Sequence, residues 1–256
     1  MVVRAPRSRY RPDGVPDYSH RFHAGNVGDV WKHCALVEVL GRTAGAGGRV
    51  GYVESHAGAG RYALGPTGEW SEGIGRLWAA ADLEPGDAVA RYVALCRRLG
   101  GGGERPRHYP GSPAFARAVL GPGAPLALWE RDAATAAELA EATRGDAHVV
   151  RTVAEGLEAL PDAVRAAAAG AGSVVALVDP PYTDKADWAR VPEAFARAAG
   201  ASTRACLLLW YPVKSLTRPN AMIARLQAAG APGTIAELIT TPLEHQRQRL
   251  NGSGVV

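Results

Sequence analysis

Asp179-Pro180-Pro181-Tyr182 is the stretch of this chain whose residue types and spacing are best suited to chemistry. The six residues before it, Ser173 to Val178, are uncharged and rich in β-branched side chains, which predicts a strand buried on both faces. Two successive prolines cannot donate to a sheet ladder, and each biases its predecessor toward extended backbone. The strand must therefore stop at Asp179, leaving a rigid loop with an acceptor, two fixed rings and an aromatic. In an open α/β sheet, ligands bind at that carboxyl edge. The chemistry such a loop suits is methyl transfer to an exocyclic amino group on a planar base. That nitrogen is a poor nucleophile, because its lone pair is delocalised into the ring. The Asp179 carboxylate and the Pro180 carbonyl can hold its two N–H bonds and aim the lone pair, while Tyr182 stacks on the base. The competing reading is a strand-ending turn with a solvated Asp and a core Tyr. The full motif after a buried strand favours function.

A second candidate site lies nearer the start. Residues 49–54 (Arg-Val-Gly-Tyr-Val-Glu) read as the first strand of the sheet, followed by Ser55-His-Ala-Gly-Ala-Gly60. Gly58 and Gly60 permit a tight turn and close approach of backbone to a ligand. The third glycine of a dinucleotide loop is missing. With Glu54 ending the strand and Asp-Pro-Pro-Tyr later, the loop suits S-adenosylmethionine better than a dinucleotide. Upstream, His20, His23 and His33 match no tetrahedral metal-ligand spacing and have no cysteine to help them, so no metal is expected. A cluster of His, Tyr, Phe and Arg ahead of a helix fits either contacts to a base and phosphates or a hydrogen-bonded helix cap.

These residues need a scaffold. The 256 residues allow one large α/β domain, and 47% hydrophobic content allows a sizeable core. No apolar run is long enough to span a membrane, and none follows the arginines of residues 1–17 as a secretory signal requires. That tail is expected to be disordered and basic. Cys34, Cys96 and Cys206 are far apart and in apolar settings, which predicts buried free thiols in a reducing compartment, taken as the cytoplasm. The net charge is only +4, but a pI near 9.1 leans toward an anionic partner. Only Lys32, Lys185 and Lys214 among the 29 basic residues are lysines, a skew attributable to base composition of the genome and not itself an RNA signature.

Along the chain, a helix starts near Asn26 and stops near Gly41. About 69–121 then interrupts the strand–helix alternation and reads as a helical insertion, with helices at 71–81, 87–99 and 114–120. Strands are predicted at 125–130, 147–153, 173–178, 205–211 and 234–240, separated by helices at 132–143, 157–169, 187–199 and 218–229. That order implies parallel pairing with both faces covered. Glu130 ends its strand where a ribose hydroxyl pair is commonly held. Residues 242–254 form a polar loop with two arginines, either a nucleic-acid clamp or a solvated segment. The last two valines read as the beginning of a strand cut short.

Taken together, Phe22-His-Ala-Gly-Asn26, Val30-Trp-Lys-His33, His56-Ala-Gly-Ala-Gly-Arg-Tyr62, Tyr109-Pro-Gly-Ser-Pro113, Asp179-Pro-Pro-Tyr182, Leu209-Trp-Tyr-Pro212 and Gly252-Ser-Gly254 resemble one family. It is the bacterial 23S ribosomal RNA adenine-N6 methyltransferases of the J type. The resemblance runs in matching order from about Tyr18 to the last residue. It implies an α/β class I S-adenosylmethionine-dependent methyltransferase (Rossmann-like) over 18–256 with a small helical subdomain, acting as a monomer on one adenine of 23S ribosomal RNA. By position, it implies that His33, His56, Ser112, Glu130 and Glu155-Gly156 contact S-adenosylmethionine beside Gly58 and Gly60. It implies that Asp179, with Pro180 and Tyr182, is catalytic and that Tyr18 touches RNA. The family usually carries Asp where this chain has Glu54 and Glu155, and continues beyond Gly-Ser-Gly. Two rivals are a DNA adenine methyltransferase, for which the insertion is small, and a catalytically silent RNA-binding or assembly factor.

Overall fold

The computed structural model describes residues 20–80, 82–84, 86–243 and 251–256. Tyr18 and the tail at 1–17 lie outside the described residues, as do residues 244–250 of the C-terminal polar loop. The elements in chain order are α1 (His20–His23), α2 (Val27–Gly45), β1 (Val50–Glu54), β2 (Arg61–Ala63), a 3₁₀ turn (Glu69–Ser71), α3 (Ile74–Trp78), α4 (Ala88–Gly100), β3 (His108–Pro110) and α5 (Ser112–Leu120). They continue with β4 (Leu126–Trp129), α6 (Ala133–Ala142), β5 (Val149–Thr152), α7 (Gly156–Ala171), β6 (Ser173–Val178), α8 (Asp187–Ala199), β7 (Ala205–Val213), α9 (Thr217–Ala228), β8 (Ala236–Ile239) and β9 (Gly252–Val255).

Seven strands form one sheet in the order β5-β4-β1-β6-β7-β9-β8. The pairs from β5 through to β7 are parallel. β9 runs antiparallel between β7 and β8, the one reversal in a set of strands expected to be parallel. β6 is central and buried from Val174 to Val178, as its sequence predicts. Side-chain alternation splits it between two cores. Val174, Ala176 and Val178 pack with Leu160 and Val164 of α7, Phe195 of α8 and Met222 of α9. Val175 and Leu177 pack on the other face with Leu36 and Leu40 of α2, Ala116 of α5 and Leu139 of α6. With both faces covered, the strand can end only at a sheet edge, and there it delivers Asp179.

The 69–121 segment is less helical than its composition suggests. Arg61–Ala63 and His108–Pro110 pair antiparallel as a two-stranded ribbon, which three-residue strands cannot announce by periodicity. The predicted helix at 71–81 is a 3₁₀ turn followed by the five-residue α3, because the non-helical backbone of Gly73 separates the two. α5 is divided between two environments: Ala116 packs in the sheet's core and Phe115 in a third core, with Tyr62, Trp78, Tyr92, Cys96 and Tyr109. Cys34 and Cys96 are buried as expected, but Cys206 is exposed, near the amino end of β7 and ahead of the part of that strand that β9 pairs.

Candidate active site

The amino-terminal turn of α2 is built to hold charge. Asn26 caps it, its side-chain oxygen accepting from the Asp29 N–H at 2.9 Å while its amide donates to Glu69 at 2.9 Å. Gly25 takes φ +78°, and a β-carbon there would meet Ile74 and Tyr109. Its N–H donates to Asp29 Oδ2 at 2.8 Å, which fixes the carboxylate. One helical turn on, Lys32 Nζ donates to Asp29 Oδ1 at 2.8 Å and to Asp179 Oδ2 at 2.5 Å. Lys32 is 4% exposed, so it has left bulk water and both carboxylates are needed to hold its charge. Burial alone would lower its pKa. Attraction and hydrogen bonds to Asp179 and Asp29 outweigh that and raise it above the ordinary lysine value. The ammonium also lies 5.5 Å over the Trp210 ring.

Pro180 is buried beside Asp179. Tyr182 has φ +51°, a left-handed conformation costly for a bulky residue and a sign that the surrounding packing fixes the loop. The ring expected over a substrate base here packs 4.5 Å from Trp188, and its hydroxyl donates to the Trp210 carbonyl at 3.2 Å. In this structure Tyr182 forms part of the wall of the site.

Next to this loop, three acids follow three neighbouring strands: Glu54 on β1, Glu130 after β4 and Glu155 after β5. Glu130 Oε2 accepts from the Gly58 N–H at 3.0 Å and Oε1 from Asp132 N–H at 2.9 Å, so strand and glycine loop are tied together. Gly58 has φ +59°, and a β-carbon there would lie 2.2 Å from the Tyr62 hydroxyl. Glu155 caps α7, with His56 Nε2 at 4.0 Å and guanidiniums of Arg131 and Arg190 at 3.6 and 3.9 Å. Burial lowers the His56 pKa, favouring the neutral imidazole. Gly156 has no room for a β-carbon, which would meet the Ser55 carbonyl.

Glu54 is fully buried and accepts from Tyr52 at 2.9 Å and from Ser112. Burial raises its pKa to about 8, against the lowering effect of those two hydrogen bonds. Between pH 4.5, its ordinary value, and about 8, the folded chain keeps a proton that the unfolded chain has released. Unfolding then liberates a proton, so this group makes stability fall as pH rises through that window and has no further effect outside it. Glu54→Gln is expected to match the parent near pH 4 and to exceed its stability by a few kcal/mol, in order of magnitude, near pH 8 without ligand. Denaturant unfolding at the two pH values measures it; an equal effect at both assigns Glu54 no such titration.

His33 follows Lys32 on α2. It is 3% exposed, with Nδ1 2.7 Å from the Tyr109 hydroxyl and its ring 5.0 Å from Phe115. His23 pairs with Glu69 at 2.9 Å. Among the described residues, no group of three or more His, Cys, Asp or Glu is placed to hold a metal ion, and no helix is long and apolar enough to cross a membrane.

Residues 49–256 match the family model described as Ribosomal RNA large subunit methyltransferase D, RlmJ. The chain belongs to the RlmJ family. Two relatives, each named Ribosomal RNA large subunit methyltransferase J, are 32% identical to it: one from Haemophilus influenzae over 249 residues, one from Escherichia coli over 245. Each alignment covers 93% of this chain and 85% of the relative. The crystal structure of protein LPL1258 from Legionella pneumophila superposes with a TM-score of 0.80 over 91% of this chain and 85% of that one, at 24% identity, and so shares the fold. The seven-stranded sheet of this RlmJ-family chain, parallel from β5 through to β7, is the mixed α/β arrangement expected from the sequence.

The acids and the glycine loop of this RlmJ-family chain fit S-adenosylmethionine chemically. The donor is a cation with ribose hydroxyls, and carboxyl groups stand along three adjacent strand ends to meet it. Each Glu130 oxygen uses one lone pair on a backbone N–H and retains capacity for a hydroxyl. Lys32 and Asp29 are site residues that the sequence reading does not single out, although their i, i+3 spacing within Asn26–His33 is the signal that could have found them.

Proposed function

We propose that this chain transfers a methyl group from S-adenosylmethionine to the exocyclic N6 of an adenine in 23S ribosomal RNA, in the cytoplasm. The observation that carries this reading is the Asp179 carboxylate at the end of the central strand, held on one oxygen by the buried Lys32. Among the described residues no hydrogen-bond donor reaches Oδ1, which leaves it to accept one N6–H, while the Pro180 carbonyl accepts the other. Lys32 fixes the plane of the carboxylate. Bound S-adenosylmethionine would supply a methyl group on a sulfonium sulfur, which leaves as a neutral thioether. The amino nitrogen gains positive charge as its bond to the methyl carbon forms, and Asp179 stabilises that charge in a site screened from water. The surplus N6 proton departs through the hydrogen bond to Oδ1 and on to solvent. Glu54 and Ser112 would hold the methionine end, Glu130 the ribose, and His56, Glu155 and Gly156 the adenine side; Tyr18 would contact the RNA. A base inside a helix is out of reach, so the target must be unpaired or extruded.

Transfer of labelled methyl from S-adenosylmethionine to unmodified 23S RNA, with duplex DNA as comparison, tests this. Label in the RNA alone, recovered as N6-methyladenosine, is expected. Label in DNA alone, or in neither, overturns it in favour of a DNA enzyme or of a silent RNA-binding factor. A narrower test concerns the glycine loop. Gly58→Val puts a β-branched residue at positive φ and drives its β-carbon into the Tyr62 hydroxyl, at a cost of roughly 1–3 kcal/mol in backbone strain alone. The loop must shift away from Glu130, so donor affinity measured by calorimetry should fall at least tenfold, roughly the equivalent of 1.4 kcal/mol. Unchanged affinity would remove the glycine loop from the donor site.

A further inference from the structure

The β2–β3 ribbon has two unlike faces. Tyr62 and Tyr109 pair across it and are buried. The Tyr62 hydroxyl accepts from the Ala59 N–H at 3.1 Å, and the Tyr109 hydroxyl meets His33, the neighbour of Lys32. Gly111 N–H donates to the Gly60 carbonyl at 2.9 Å, which closes the ribbon onto the glycine loop. Strand alternation puts Arg61 and His108 on the opposite face. Arg61, Arg107 just ahead of β3, and Arg105 two residues earlier are all exposed.

These three guanidiniums differ from the arginines elsewhere among the described residues that pair with an acid. Arg42, Arg76, Arg91, Arg117, Arg144 and Arg165 each pair with an acid. Arg61, Arg105 and Arg107 pair with none among the described residues, the nearby Glu104 included; Arg105 reaches only the Gly65 carbonyl, at 3.5 Å. The His108 imidazole is held toward its neutral form by partial burial and by the charges of Arg61 and Arg107, so both guanidiniums stand close enough to act on it. A rigid, uncompensated positive patch therefore stands on a ribbon anchored to both the glycine loop and α2. Positive charge of this kind, with no acid to satisfy it, complements a polyanion.

We propose that the exposed arginines of this ribbon and its lead-in, Arg61, Arg105 and Arg107, bind the phosphate backbone of the RNA whose adenine enters the Asp179 site. The assignment rests on ribosomal RNA being the substrate and adds where the strand is held. Guanidinium contacts to phosphates position a nucleic acid without reading its sequence, so base selection stays with the Asp179 pocket.

The test compares Arg61→Gln/Arg107→Gln with Arg61→Lys/Arg107→Lys, using unmodified 23S RNA transcript and an unrelated RNA of equal length. In the Gln pair, affinity for both RNAs should fall to a similar extent, and the slope of log affinity against log salt should lessen by about 2, one for each phosphate no longer neutralised. The Lys pair should keep most of the slope, because lysine still serves phosphate as a point charge. Donor affinity should be unchanged in both, and saturating RNA should restore the Gln pair's rate. Wild-type RNA affinity and salt slope in the Gln pair, with the parent chain methylating RNA, overturn the ribbon assignment alone. Loss of donor affinity in the Gln pair assigns these arginines a structural role and overturns it too. A parent chain that neither binds nor methylates RNA overturns the substrate reading, and the ribbon assignment with it.

Discussion

Asp179→Ala is expected to abolish measurable methyl transfer while the chain remains folded and binds donor as before. Lys32 keeps Asp29 as a partner 2.8 Å away when Asp179 is removed, so no buried charge is left alone. The proposed donor contacts lie at the ends of β1, β4 and β5, on one side of β6, and owe little to the Asp179 carboxylate. What disappears is the acceptor that aims the amino lone pair and the negative charge that meets the developing ammonium. Loss of one such preorganised partner costs about 10²–10³ in rate. Asp179→Asn keeps an oxygen acceptor but not the charge, so it should fall between parent and Ala at similar donor affinity. Single-turnover methylation with calorimetry on the same preparations gives both quantities. An Ala variant transferring methyl at near the parent rate would remove Asp179 from the chemistry.

The sequence makes β6 and its loop legible because two strong local rules agree there. An apolar β-branched run can only be a buried strand, and a proline pair can only end it. Each of the five strands predicted after residue 121 falls in a seven-stranded sheet, because apolar runs separated by helices leave few arrangements. The ribbon is not legible. Its strands are three residues long and lie 44 residues apart between their last and first members, and its partners are chosen by tertiary contact, not by pattern. The packing of Tyr182 is not legible for a related reason: motif order gives no φ, and at φ +51° its ring lies beside Trp188. Lys32 escapes notice because a single lysine in an amphipathic helix normally reaches water. Only the approach of Asp179, 147 residues away in the chain, makes it a buried charge.

Replacing that lysine should destabilise the chain more than any of the other substitutions. Lys32→Met has suitable length and removes the cation between Asp29 and Asp179, whose side chains are only 7% and 14% exposed. Two carboxylates then share a poorly hydrated site without the cation that lay between them. Breaking a buried pair by removing one partner costs about 3–5 kcal/mol. For a chain of this size each kcal/mol shifts the melting temperature by about 2–4 °C, so a drop of roughly 6–20 °C is expected. Methyl transfer should fall as well, since the Asp179 carboxylate loses the donor that fixes its plane. The double variant Lys32→Met/Asp179→Asn separates pairing from packing. If the cost comes from stranded charge, neutralising Asp179 removes half of it, and the double variant should melt above Lys32→Met while remaining inactive. Coupling between groups in direct contact is typically about 0.5–3 kcal/mol, enough to see in the melting curves. Strictly additive losses would mean that the ammonium contributes only its methylene packing, and that Asp179 keeps its position without Lys32.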